Sequence, residues 1–187
     1  MSDDPGRDLL LPTSGAPIGA ALVLHPHPAM GGDRHHPLVV ALAEALAADG
    51  LATLRIDLHD PDIAAATDRL EAVATDLVAE VDTYRLVLVG YSWGSVVCAA
   101  ASPVGLVGRV LVAPPVRSIS LSAPADAVPA LLLVPEHDQY GGPDATTAAV
   151  AGWPDASVET ISGADHFLAG AIARITARTV AWVADVV

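Results

Sequence analysis

Short, uninterrupted apolar runs recur along this chain, and longer Ala-rich stretches with helical spacing separate them. A strand that is apolar at every position has no face to offer to water. It must be covered on both sides, and the stretches between the strands must supply the cover. The pattern predicts strands at residues 20–25, 51–57, 84–90, 109–113, 130–135 and 157–161, with a short edge strand at 9–11. It predicts helices over 36–49 (closed by Gly50), 62–81, from Ser92 onward, over 144–151 and over 168–186. Such alternation gives a mostly parallel central sheet flanked by helices, an α/β architecture. No linker, repeat or low-complexity tail interrupts residues 1–187, so the chain reads as one domain, long enough to bury a sizeable core.

Charge and cysteine content narrow the function classes. The net charge is −13, every basic residue is arginine and lysine is absent. That balance disfavours nucleic acid and anionic membrane surfaces as partners. The bias towards Asp, Ala and Val fits a high-GC coding sequence or adaptation to high salt. Apolar runs such as residues 85–90 are far too short to span a bilayer. Residues 1–8 are acidic and lack the positive and apolar regions of a secretory leader, so the expected location is the cytoplasm. The single cysteine, Cys98, excludes an internal disulfide and lies in an Ala-rich stretch where it reads as a small buried hydrophobe.

Gly90-Tyr91-Ser92-Trp93-Gly94 matches G-x-S-x-G at the point where a predicted strand turns directly into a helix. This is the context of a nucleophile elbow, the strained turn that lifts a serine hydroxyl above the sheet of an α/β-hydrolase. The flanking glycines leave room across the turn. The Trp93 backbone N–H, at the helix start, points at a developing oxyanion.

Serine needs a base, and the base needs an orienting acid. In this fold they follow in the order serine, acid, histidine. Glu136-His137-Asp138-Gln139-Tyr140 follows one predicted strand, and Gly163-Ala164-Asp165-His166-Phe167 follows the next. Asp138 and His166 therefore fall on the same sheet edge as Ser92, the edge where parallel sheets bind ligands. Glu136 and Asp165 are rival acids. Glu136 is still close to its strand, and Asp165 is too near His166 in sequence to reach its far nitrogen easily.

The loop His25-Pro26-His27-Pro28-Ala29-Met30-Gly31-Gly32 follows the first strong strand, where the second oxyanion donor is expected. Pro26 and Pro28 have no N–H, which leaves the backbone of His27. His25, His27, His35 and His36 also suggest a metal site, but the Ser92, Asp138 and His166 set explains catalysis with no metal and no cofactor, and these histidines read better as loop-orienting or solvent-facing.

With these residues in view, the chain resembles the small bacterial α/β-hydrolases related to dienelactone hydrolases, whose members carry an H-P-H-P-x-x-G-G loop. The matching pieces are residues 25–32, 52–57 (A-T-L-R-I-D), 90–94, 110–116 (V-L-V-A-P-P-V), 136–140 and 163–167, so the likeness runs along nearly the whole chain. The resemblance implies an α/β-hydrolase fold and a Ser-Asp-His site carried by Ser92, Asp138 and His166. Two segments depart from the pattern. Leu58-His59-Asp60-Pro61-Asp62 stands where such enzymes continue R-G-x-G-x-S, and residues 114–129 are too short for a helical cap. The expected site is therefore open and lidless. The expected activity is hydrolysis of a small carboxylic ester or thioester through an acyl-enzyme. Acyl transfer, lactone formation or opening by the same residues, and non-catalytic ligand binding on this fold are the alternatives.

Overall fold

The computed structural model describes residues 6–187; the first part of the acidic segment read for a leader, residues 1–5, lies outside them. The elements, in chain order, are β1 (Arg7–Leu10), β2 (Gly19–Leu24), α1 (Pro37–Ala48), β3 (Leu51–Ile56), α2 (Ile63–Glu80), β4 (Leu86–Tyr91), α3 (Trp93–Ala100), β5 (Leu106–Val112), β6 (Ala130–Pro135), α4 (Pro143–Ala149), β7 (Ala156–Ile161) and α5 (Ile172–Val186). They build a seven-stranded sheet in the order β1-β3-β2-β4-β5-β6-β7. β1 runs antiparallel to β3, and the other neighbouring pairs are parallel. No helix among the described residues is long and apolar enough to cross a membrane.

Period-two alternation divides the apolar strands between two cores. Leu22, Leu24, Leu88, Leu111 and Leu132 pack with α2 and α3 on one face. Val23, Val89, Val110, Val112, Leu131 and Leu133 pack with α1 and α5 on the other. Each fully buried Leu or Val stabilises the fold by about 1.5–3 kcal/mol. Helical spacing matches this division: Leu38, Leu42 and Leu46 form one buried stripe on α1, and Ile175, Thr179 and Val183 another on α5. At the sheet edge, β7 is only partly buried, which is why its sequence mixes Ser, Glu and Thr with apolar residues.

Most boundaries shift by a residue or two from the sequence expectation, and three of the shifts have a clear physical reason. The edge strand spans Arg7–Leu10 and is fixed by four register pairs with β3. β5 begins at Leu106, because Leu86 of β4 already pairs with it there. The last helix starts at Ile172: Leu168 has φ 62° and Gly170 φ 71°, so the chain turns before it coils.

A charge anchors the short connection between β5 and β6. Arg109, with 0% exposure, lies on β5 beneath the end of α3. Its guanidinium donates to the carbonyls of Cys98 (3.2 Å) and Ala101 (2.8 Å), capping the negative end of that helix. It also forms a two-pronged pair with Asp126 at 2.8 and 2.7 Å. Asp126 accepts from the Ser102 hydroxyl as well, and the Arg109 contacts, foremost among these causes, hold its pKa down at about 2. A stretch of chain without helix is thereby fastened to the sheet at one buried point.

Because Asp126 has its pKa depressed on folding, its contribution is complete above the ordinary value of 3.8 and is lost as pH falls towards about 2. Asp126→Ala leaves the Arg109 guanidinium buried and unpaired, at an expected cost of about 3 kcal/mol. Urea denaturation at neutral pH measures that loss. In a pH series, the wild type should lose stability through this window more steeply than Asp126→Ala.

Candidate active site

The tight approach of α3 to β4 fixes the geometry at the carboxyl edge of the sheet. A Cβ on Gly90 would stand 2.3 Å from the Gly94 carbonyl oxygen, and one on Gly94 would stand 2.5 Å from the His25 carbonyl oxygen. Only glycines allow this turn to close. Between them Ser92 adopts φ 53° and ψ −119°, a conformation that L-residues rarely take. The turn is held by Ser92 N–H donating to Val112 O (2.9 Å) and by Ser95 N–H and Oγ donating to Ser92 O at 3.0 and 2.5 Å.

Ser92 Oγ lies 3.0 Å from His166 Nε2, and His166 Nδ1 lies 2.8 Å from Asp138 Oδ2. The other Asp138 oxygen accepts from the backbone N–H groups of Tyr140 (2.8 Å) and Gly141 (3.2 Å). All three side chains are buried, at 9% exposure for Ser92, 6% for His166 and 4% for Asp138. The rival acids are engaged elsewhere. Glu136 accepts from Gly163 N–H at 2.7 Å and so ties its loop to the histidine loop. Asp165 accepts from Phe167 N–H at 3.0 Å within its own turn.

The His166 loop is clamped from below and from the side. The Tyr91 hydroxyl donates to His166 O at 2.8 Å, and burial, foremost, pushes its pKa up to about 12. The Tyr140 ring meets the imidazole edge-on, with centroids 4.7 Å apart. Leu168 is fully buried and anchors the loop in the core.

Three of the four histidines around the loop after β2, His25, His27 and His36, brace it through ring nitrogens. His25 Nδ1 lies 2.6 Å from Pro26 O while Nε2 accepts from Leu58 N–H at 2.9 Å, which requires the neutral ring protonated on Nδ1. Burial lowers its pKa, in keeping with that form. His27 Nδ1 accepts from Ala29 N–H (3.2 Å), and His36 caps α1 by accepting from Leu38 N–H (3.3 Å). His35 is exposed, and its N–H donates to Asp33. Among the described residues no group of three or more His, Cys, Asp or Glu is arranged to hold a metal.

Sequence reasoning missed the ionic fastening of this loop. Arg34 pairs with Asp57 at the end of β3 and with Asp8 of β1 (3.1 Å), and Arg55 of β3 also reaches Asp8 (3.1 Å). Burial opposes ionisation of Asp57, but hydrogen bonds and charge from Arg34 more than offset it and hold its pKa low. The signal in the sequence was Arg55, a charge inside a strand that is otherwise apolar.

Ser92 opens into a pocket of about 320 Å³ walled largely by Met30, Trp93, Pro115, Ile119, Phe167 and the Pro26–His27 turn. His27 and Trp93, the expected oxyanion residues, both line it. Trp93 is the first residue of α3, and the N–H groups of a helix's first turn have no acceptor within the helix. Residues 114–129 form no helix, in line with a site that has no cap. They nevertheless supply one wall through Pro115, Ser118 and Ile119, so the site is a walled pocket and less open than the sequence suggests.

No family model and no curated protein matches this chain. Solved structures do. An α/β serine hydrolase homologue from Coxiella burnetii superposes with a TM-score of 0.81 at 24% identity, over 97% of this chain and 94% of that one. A serine hydrolase without a lid from Xanthomonas campestris gives 0.81 at 22% identity, over 95% and 86%. A dienelactone hydrolase from Anabaena variabilis gives 0.81 at 23% identity, over 97% and 91%.

The strain at Ser92 can be measured. Ser92→Gly should match or exceed the wild type in stability, because glycine tolerates a backbone conformation that costs other residues about 1–3 kcal/mol. Gly94→Ala should lower stability by about 2 kcal/mol or more, since its methyl meets backbone that cannot move aside. Urea unfolding of the two variants beside the wild type tests both.

Proposed function

We propose that this protein, whose α/β-hydrolase fold is shared with its structural neighbours, is a serine hydrolase that cleaves small carboxylic esters or thioesters through an acyl-enzyme, with Ser92 as nucleophile, His166 as general base and Asp138 as its orienting acid. The reading includes a cytosolic location and a small-molecule substrate. The observation that carries it is the unbroken chain of contacts from Ser92 Oγ through His166 to Asp138, opening on an apolar pocket.

The roles follow from the contacts. Ser92 Oγ attacks the acyl carbon as its proton passes to His166 Nε2. Asp138 accepts from His166 Nδ1–H, which fixes the tautomer and favours the cation that forms. The backbone N–H groups of Trp93 and His27 donate to the oxyanion, each worth about 3 kcal/mol. Collapse of the tetrahedral intermediate expels the alcohol or thiol, which takes the proton from His166. Water then repeats the sequence on the acyl-enzyme. The uncapped mouth gives water ready access, which favours hydrolysis over transfer to another alcohol.

The wild type should turn over 4-nitrophenyl butyrate, and Ser92→Ala should lower kcat by orders of magnitude without unfolding the protein. Asp138→Asn should also lose most activity, while Glu136→Gln and Asp165→Asn lose far less. Wild-type activity in Ser92→Ala, or Asp165→Asn as the most damaging acid variant, would overturn the assignment. In a chain-length series each methylene should add up to about 0.8 kcal/mol until the pocket is full. Given its volume of about 320 Å³, efficiency should stop rising near about hexanoate. A steady rise to dodecanoate would contradict a pocket of this size.

A further inference from the structure

Among the described residues, the pocket beside Ser92 is lined by no arginine and no carboxylate. The chain has no lysine at all; of the arginines closest in sequence to lining residues, Arg34 is committed to Asp57 and Asp8, and Arg117, between Pro115 and Ser118, is exposed and is not part of the lining. Nothing in the lining offers a fixed positive charge to an anion, and the net charge of −13 opposes its approach.

The lining does hold His36. Its Nδ1 accepts from Leu38 N–H, and a backbone N–H can only donate, so in the neutral ring the proton resides on Nε2. The ring is half-buried, stands 5.1 Å from the Tyr91 ring, and is held in the neutral form by burial. Among the described residues its Nε2–H has no hydrogen-bond partner. A fixed donor in an apolar pocket is satisfied best by an acceptor that the ligand brings. The Tyr140 and Phe167 rings flank His166, which must reach the leaving oxygen, and Tyr91 stands between His166 and His36. The leaving group is assigned to the Tyr140 and Phe167 side and the acyl part to the loop wall that carries His36.

We propose that His36 is a specificity-determining residue whose Nε2–H donates to a second acceptor oxygen on the acyl part, so that the site selects neutral oxygen-bearing acyl esters over plain alkyl or anionic ones. The inference rests on the ester-hydrolase reading above and adds its substrate class. His27 presents the same tautomer but lies edge-on against Trp93 and belongs to the oxyanion turn.

The test compares kcat/KM for 4-nitrophenyl pentanoate, 4-oxopentanoate, adipate with its second carboxyl free, and the methyl ester of that adipate. The wild type should favour 4-oxopentanoate over pentanoate about fivefold, the worth of one neutral hydrogen bond. It should disfavour the free acid against its methyl ester about tenfold. His36→Ser keeps an oxygen at the start of α1 to cap it, and His36→Phe keeps a ring beside Tyr91. In both variants the ratio of 4-oxopentanoate to pentanoate should fall to about one, with thermal unfolding as the control for a loosened helix. A wild-type ratio of one, or a preference that survives in both variants, overturns the role of His36. Preference for the free acid overturns the neutral-substrate assignment. Failure of the wild type to cleave any of the four esters counts against the hydrolase reading itself.

Discussion

The carboxyl edge of the sheet depends on how closely α3 is pressed onto β4. Helix and strand can meet there only because Gly90 and Gly94 carry no side chain; a methyl on either would fall within 2.5 Å of a backbone oxygen. That closeness forces Ser92 into a left-handed conformation and raises its hydroxyl into the pocket. The strain is tolerable because β4 is buried along its whole length between two apolar layers, so the turn cannot relax without disturbing the core. Gly94 also sets the position of the loop after β2, since its Cα lies against the carbonyl of His25. Elbow and loop are placed by one contact.

Around this fixed point the connections are held by polar contacts whose partners are distant in sequence. Asp138 receives two backbone N–H groups on one oxygen and His166 on the other. Glu136 bridges to Gly163, Tyr91 to the backbone of His166, and Arg34 to Asp57 and Asp8. Arg109 holds the far end of the β5–β6 connection through Asp126, and Arg117 N–H, donating to Tyr140 O at 2.9 Å, ties the near end that carries the wall of Pro115, Ser118 and Ile119. A rim built from short, tied loops needs no separate cap to have a defined shape.

What the sequence made legible is what depends on local pattern. Uninterrupted apolar runs disclosed β2, β4 and β6, because strands buried on both faces leave no polar position. The five residues of the elbow disclosed the turn, since few arrangements require glycine on both sides of a serine at a strand end. Asp138 was favoured over Glu136 and Asp165 by reach alone; the structure adds that Glu136 is occupied by Gly163 N–H of the histidine loop and Asp165 within its own turn. The unread parts rest on pairings across long separations. Arg109 lies 17 positions from Asp126, and Arg34 lies 23 from Asp57. The early start of β5 was masked by Gly108, a poor strand former within its first turns of ladder. The pocket wall supplied by residues 115–119 was hidden for the same reason, because nothing in a Pro- and Ser-containing stretch signals that a buried arginine holds its far end.

The central claim is that Ser92, activated by His166 and Asp138, is the nucleophile. The most direct measurement is reaction of the native protein with a fluorophosphonate probe, followed by peptide mapping of the adduct. The account predicts a single adduct on Ser92, formed rapidly in the wild type and slowly once His166 is replaced by alanine. An adduct on another serine, such as Ser95 or Ser118, or undiminished labelling of Ser92→Ala, would contradict it.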